Sequence, residues 1–330
     1  MSKAFKQNKF KLSVDMLPAI SRLCILIVIV LLGVGIDSSF LSLRNISNIF
    51  ANASILIILG IGQTITVITN GPDLSSGSVM TICAVIAAIL IKNYNVNFVI
   101  AILIALVVGG IIGAINGYMI AYVGIPSFIS TYGLQWAIFG FAYVLLQGYV
   151  LYDFDEKFRF IGNGNLFGVI QMPILVTLIC VLLGHLLLKK TTLGRKCYAV
   201  GSNRVSASMS GINVNTVISM AFVISGILSA FAGVLFVARM NSVQSDSGSS
   251  YLLPVLASVY MGGTSVSGGE GGVLGTVFGA MVMTVATNCM NLLSVPSEWR
   301  DAILGVLIII TVLLDVVVKK RMQSIKIVSA

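Results

Sequence analysis

The residues of this chain that could do chemistry are few and far apart. Asp73 sits in the turn-rich stretch Asn70-Gly-Pro-Asp-Leu-Ser-Ser-Gly-Ser78 and is the one charge between two apolar runs. Glu270 is alone in Gly262-Gly-Thr-Ser-Val-Ser-Gly-Gly-Glu-Gly-Gly272. Asp315 precedes Lys319 by one helical turn, a spacing that suits a structural ion pair. His185, the only histidine, lies near the end of an apolar run, where an interfacial or packed role is the ordinary one. Cys24, Cys83, Cys180, Cys197 and Cys289 have neither metal-site nor disulfide spacing and read as small buried apolar side chains. An enzyme working at membrane depth would need an HExxH helix, paired aspartates or a Ser/His pair, and the sequence has none. A proton- or sodium-coupled carrier needs ionisable groups along its path, and the apolar runs offer almost none. The Gly262–Gly272 loop lacks the Lys of a phosphate-binding P-loop, and no strand precedes it. What remains is non-covalent chemistry: hydrogen bonding and docking.

Docking capacity concentrates in Lys189–Asn215, the longest polar break between apolar runs. It carries Lys189, Lys190, Arg195, Lys196 and Arg204 and no acid. Val205 to about Ile212 is predicted to be a short helix, capped by Asn203 or Ser202 and ended by Gly211. Val205, Met209 and Ile212 fall at i, i+4 and i+7, on one face. Such a helix suits a groove on a soluble protein; the alternative is a helix lying on the membrane surface.

The elements that must position these groups are written in the composition. The chain is 57% hydrophobic and 9% charged over 330 residues, against roughly 25% charged for globular domains. A soluble fold could not hide that much apolar surface. The net charge of +9 is not a nucleic-acid footprint, because no basic stripe alternates with aromatics. The fold expected is an all-α polytopic membrane protein with about ten transmembrane helices of ~20 residues and cytoplasmic termini. The spans run near Ile20–Ile36, Ile46–Ile68, Ser78–Ile91, Phe98–Tyr122, from Pro126, Gly168–Leu188, Thr216–Ala238, Tyr251–Met261, Val273–Leu293 and Ala302–Val318. The third and eighth are short, so the Asp73 turn is expected to re-enter the bilayer, as backbone can only when buried in protein or lining a cavity. Gly109, Gly113 and Gly117 are expected to let helix backbones approach closely. Ser127, Ser130, Thr131 and Gln135 make the fifth span unusually polar, for interhelical bonds or a water path. Residues 1–19 form a basic N-terminus, 20–318 one transmembrane domain carrying the 189–215 loop, and 319–330 a basic tail. This topology puts 14 of the 20 Lys and Arg inside, as short inner loops prefer.

These residues resemble the permease subunits of bacterial ABC importers for monosaccharides, of the ribose, xylose and galactose type that includes the autoinducer-2 permeases. The family's Gly-x-Asp-Leu-Ser-x-Gly-Ser is Gly71–Ser78 here, and its Pro-x-Phe-Ile-x-Thr-x-Gly is Pro126–Gly133. Its coupling segment is Thr191–Arg195, Ala199–Asn203 and Ser210–Val214, and its glycine-rich loop is Gly262–Gly271. The resemblance implies a transport subunit in the bacterial inner membrane, with no cofactor of its own and no bond making. It implies three partners: a cytoplasmic ABC ATPase, an extracytoplasmic sugar-binding protein, and a second permease copy or paralogue. Coupling to the ATPase would fall to Gly194, Arg195, Gly201, Asn203, Arg204, Val205, Met209, Ser210, Gly211 and Ile212. The substrate pathway would use Asp73, Ser75, Ser76, Phe128, Ser130, Thr131 and Gln135. Two positions depart from the pattern. Arg204-Val205 stands where the coupling helix usually starts with an acid, and Tyr251-Leu-Leu-Pro254 lacks the acid that often follows the aromatic residue. The rival readings are a stand-alone secondary carrier or channel for a small polar solute, and an intramembrane enzyme acting on lipid.

Overall fold

The computed structural model describes residues 26–31, 33–35, 38–166, 170–296, 299–300, 302–306, 309 and 313. The basic N-terminus with Arg22 and Cys24, the Asp315–Lys319 pair and the basic tail lie outside the described residues. The first and tenth expected spans are described only in part.

Helix α1 (Leu43–Ile68) begins where the Ser42 hydroxyl accepts the Asn45 N–H at 3.2 Å. It is continuously buried from Ala53 to Ile68. It is followed by α2 (Ser76–Lys92) and α3 (Phe98–Tyr118), which runs on into a π turn over Met119–Val123. Gly124, at φ +85°, ends that turn, and α4 (Ser127–Leu146) opens after Pro126, where a missing N–H costs little. Next come α5 (Glu156–Asn163), α6 (Met172–Lys190), α7 (Thr192–Ser202) and α8 (Arg204–Met209). The chain continues through α9 (Val214–Met240), α10 (Leu252–Met261) and α11 (Val273–Leu292).

Six of these helices are long and apolar enough to cross a membrane: α1, α3, α4, α6, α9 and α11. Helices α2 and α10 are shorter and apolar. Helices α3 and α6 turn Leu103, Val107, Ile111, Leu178 and Leu182 outward, and a helix apolar on all sides belongs in lipid or a core. The charged stretch between α4 and α6 is more ordered than a loop. It contains α5 and the two-residue strands β1 (Leu151–Tyr152), β2 (Asn165–Leu166) and β3 (Ile170–Gln171). Strand β1 pairs with β4 (Ser242–Val243), and β2 with β3, both antiparallel. The helices are therefore joined by minor β pairing that an all-α expectation omits. The sixth span begins at Met172 rather than Gly168, because β3 occupies the residues just before it.

Glycine sets the closest crossing. A Cβ on Gly113 would lie 2.3 Å from the Phe222 carbonyl oxygen, and one on Gly226 would lie 2.1 Å from that of Gly109. Gly117 meets Ser219 in the same way. The α3 and α9 backbones are thus in direct contact through the small-xxx-small face of α3.

Two turns re-enter the helix bundle and meet in its middle. Helices α1 and α9 run in opposite directions and each stops at an asparagine in the left-handed region, Asn70 (φ 61°) and Asn241 (φ 54°). The chain then doubles back and restarts as a short helix. A Cβ on Gly77 would strike the Gly248 carbonyl oxygen at 2.4 Å, and one on Gly248 the Gly77 oxygen at 2.0 Å. The Gly248 N–H donates to Thr81 Oγ1 at 2.8 Å. The turns share one pattern, Asn-x5-Ser-Gly-Ser, in Asn70–Ser78 and Asn241–Ser249.

Gly113→Val is expected to lower the thermal midpoint of the detergent-purified protein, from an overpacking cost of about 1–3 kcal/mol. Gly133→Ala is expected to leave it unchanged, because nothing lies within 4 Å of the added methyl group. Equal midpoints for the two variants would contradict the α3–α9 contact.

Candidate functional site

The re-entrant turn after α1 carries the carboxyl group of Asp73 into the core, where the residue is 3% exposed. Oδ1 accepts the Ser75 N–H at 3.0 Å and the Ser75 hydroxyl at 2.6 Å. Oδ2 accepts the Ser225 hydroxyl of α9 at 2.8 Å. The network continues outward. Asn116 Nδ2 of α3 donates to Ser75 Oγ at 2.9 Å, and Ser130 Oγ of α4 donates to Asn116 Oδ1 at 3.0 Å. Gln63 of α1, its amide oriented to satisfy both bonds, donates to the Asp73 carbonyl at 2.8 Å and accepts its N–H at 3.1 Å. Asp73, through its carboxyl group, its backbone and the chain of bonds beyond Ser75, therefore ties α1, α3, α4 and α9 to the start of α2. Among the described residues no Lys or Arg pairs with it; the one ion pair is Lys92–Asp153. Hydroxyls and amides alone satisfy the group, as a buried polar atom requires.

The turn is rooted at the end of the bundle that carries α7 and α8. Thr191 forms the corner there: its hydroxyl donates to the Leu187 carbonyl at 2.6 Å and accepts the Gly194 N–H at 3.1 Å. Helix α7 buries Gly194, Cys197, Val200 and Gly201 and leaves Arg195 and Lys196 exposed. Burial pushes the Cys197 thiol up to about 11, so it stays protonated and unreactive at neutral pH. Gly201 is required by contact, since a Cβ there would lie 1.8 Å from the Ile68 carbonyl oxygen. That same oxygen accepts the Gly269 N–H at 2.9 Å. Tyr198 donates to the Gly271 carbonyl at 2.9 Å. The last turn of α1, helix α7 and the glycine-rich loop therefore share one set of backbone contacts.

Helix α8 projects from this base. Asn203 caps it by accepting the Ser206 N–H at 2.9 Å. It ends sooner than the sequence suggests: Gly211 takes φ +78°, and the Ile212 N–H turns back to the Ala207 carbonyl at 3.1 Å. Val205 and Met209 remain 65% and 85% exposed, whereas Ile212 packs against the core. The outward apolar face is thus Val205 and Met209 without Ile212. Ser210 closes the helix with its hydroxyl on the Ser206 carbonyl.

The residues expected to line a pathway divide into two groups. Asp73, Ser75 and Ser130 are joined in the buried network, and Thr131 bonds back to the Ser127 carbonyl at 2.7 Å. Ser76 Oγ and Gln135 Oε1 are buried without a hydrogen-bond partner. Phe128 is on the opposite face of α4, stacked on Tyr132 with ring centroids 5.7 Å apart, and Tyr132 meets Trp136 edge-on at 6.2 Å. Gln63, Asn116 and Ser225, which complete the network, are missing from the sequence-based set. Their signal is an isolated amide or hydroxyl inside an apolar run, beside glycine in each case: Gly62-Gln63, Asn116-Gly117 and Ser225-Gly226. No group of His, Cys, Asp and Glu among the described residues could hold a metal ion.

Ser225→Ala and Asp73→Asn are each expected to cost about 1–3 kcal/mol by stranding a buried donor or acceptor, read as a lower thermal midpoint. Ser250→Ala, on an exposed turn, is expected to change nothing. An Asp73→Asn protein as stable as the parent would show that the network does not hold the bundle.

A family profile described as "Branched-chain amino acid transport system / permease component" matches residues 45–312. The ribose import permease protein RbsC of Escherichia coli (strain K12) is 33% identical over 294 residues, which is 88% of this chain and 91% of that protein. The fructose import permease protein FruG of Bifidobacterium longum (strain NCC 2705) is 29% identical over 317 residues, 93% of this chain and 92% of its own. The autoinducer 2 import system permease protein LsrC of Yersinia enterocolitica is 31% identical over 293 residues, 89% of this chain and 81% of its own. No solved structure matches the chain. The matched region holds both re-entrant turns, the Asp73 network and α8. The chain belongs to the branched-chain amino acid transport system permease family, and is a multi-pass transport subunit of the inner membrane rather than an enzyme.

Proposed function

We propose that the chain is the membrane-spanning permease subunit of an ATP-driven importer that passes a monosaccharide into the cytoplasm. The observation that carries the reading is α8: a capped helix with Val205 and Met209 exposed, standing on a base fused to the last turn of α1. An apolar knob on a fixed base suits a partner that pushes, and the sequence carries no P-loop motif of its own. The partner is a cytoplasmic ABC ATPase whose closure on ATP displaces α8. An extracytoplasmic sugar-binding protein delivers the solute, and a second copy or a paralogue completes the pore. The chain forms a single domain over residues 20–318 that crosses the bilayer ten times, with α8 and both termini in the cytoplasm. The distribution of Lys and Arg supports that orientation.

The family description speaks of amino acids, but two relatives are named for ribose and fructose, both monosaccharides. That favours a sugar as the substrate class. Import of autoinducer 2 is the second reading, favoured by the likeness to LsrC. The pathway runs between two copies rather than through one. Within a copy, Asp73 and Ser75 are packed and hydrogen-bonded, while the Phe128, Tyr132 and Trp136 face of α4 is left open. The buried residues hold the helices that form the wall, and the exposed aromatic face supplies its surface.

Met209→Asp combined with Gly211→Asp puts two acids on the exposed tip of α8, away from the core. In vesicles holding the chain with its ATPase and binding protein, the double variant is expected to insert normally. ATP-driven uptake of ribose or fructose, whichever the parent takes up, is expected to fall at least tenfold, about 1.4 kcal/mol of lost coupling. Normal uptake would remove the docking role of α8.

A further inference from the structure

We propose that Arg204 is a positioning residue that ties α8 to the end of α1 and so passes its displacement to the Asp73 network. The inference rests on the reading of α8 as the docking helix.

The last carbonyls of a helix have no partner within it and carry the negative end of the helix dipole. At α1 they are claimed from the α7–α8 side. The Ile68 carbonyl takes the Gly269 N–H. Arg204 Nη2 lies 3.5 Å from the Thr69 carbonyl oxygen and 3.3 Å from that of Asn70. A guanidinium suits this place, being permanently charged and planar with several donors. Both distances are long for N–H···O bonds. The interaction is therefore chiefly a cation beside two helix-end carbonyls, and its loss should loosen the joint without unfolding the protein.

The position gives the joint its mechanical meaning. Arg204 is the first residue of α8, and Asn203 before it caps that helix. Asn70 is three residues from Asp73, whose backbone is bonded to Gln63 and whose side chain is bonded to Ser225. A push on α8 thus reaches α1 and α9 through Arg204, the Asn70 turn and the carboxyl group of Asp73. The remaining exposed residues of α8 are Val205, Ser206, Ser208 and Met209, all neutral.

The test uses the full complex in proteoliposomes, with ATP hydrolysis and ribose or fructose uptake measured in the same vesicles. Arg204→Gln is expected to retain the ATPase on purification and to hydrolyse ATP, while uptake per ATP falls roughly fivefold or more. Arg204→Lys, which keeps the charge, is expected to restore most of that ratio. Unchanged uptake per ATP in Arg204→Gln would overturn the inference, and so would an Arg204→Lys ratio as low as that of Arg204→Gln. Loss of the ATPase from Arg204→Gln would place the side chain on the partner and overturn it too. Met209→Asp separates the two levels: if it leaves ATPase retention and uptake intact, α8 is not the docking helix, whatever Arg204 does.

Discussion

A carboxyl group inside a lipid-embedded bundle, with no basic side chain pairing with it among the described residues, must be met entirely by hydrogen bonds. Asp73 is such a group, and the bundle is arranged around meeting it. Two hydroxyls and one backbone N–H reach its oxygens, from its own turn and from α9. The amide of Asn116 orients one hydroxyl, and Ser130 orients that amide. Each donor comes at the cost of a polar side chain on an otherwise apolar helix, and each is expensive to leave unpaired. That mutual dependence gives the helices one arrangement relative to one another. In lipid, where apolar contact does not favour one helix face over another, polar contacts and close backbone approach supply the specificity.

The same constraint shapes the ends of the bundle. Asp73 can reach the core only if the chain turns back after α1, which shortens α2 and exposes the last carbonyls of α1. Those carbonyls must be satisfied, and the glycine-rich loop and Arg204 do so. Gly201 and Gly269 carry no side chain because a backbone lies where a Cβ would stand. The second re-entrant turn, after α9, meets the first at Gly77 and Gly248, so neither can shift without the other. In the proposed mechanism a push at α8 would be delivered to contiguous backbone rather than absorbed in loops.

Much of this was legible in the sequence. The turn formers around Asp73 stood out because they interrupt apolar runs, and the glycines of α3 because their four-residue spacing aligns them on one face. The exposed tip of α8 was legible from its caps and its apolar pair, though Ile212 was not separable from that face until Gly211 was seen to reverse the chain. The partners of Asp73 were hidden for a physical reason. Gln63, Asn116 and Ser225 are single polar residues far apart in the chain, and only folding brings them to one point. Helix α7 was obscured by Gly194 and Gly201, which lower helix propensity yet are demanded by the Leu188 and Ile68 carbonyls. The kinship of the two re-entrant turns rests on four matching residues in nine, too little to notice without the Gly77–Gly248 contact.

In the proposed mechanism α8, the end of α1 and the glycine-rich loop move as one piece. Spin labels at Ser208 on α8 and Ser267 in the glycine-rich loop, both exposed, test it most directly. The pair would be placed in one copy of the assembled importer in lipid nanodiscs, and Ser208 alone would be labelled in both copies in a second sample, each with and without ATP. The Ser208–Ser267 distance distribution is expected to stay fixed while a Ser208-to-Ser208 distance between copies changes. A Ser208–Ser267 distance that shifts with ATP would show α8 sliding over the bundle and would rule out a joint movement.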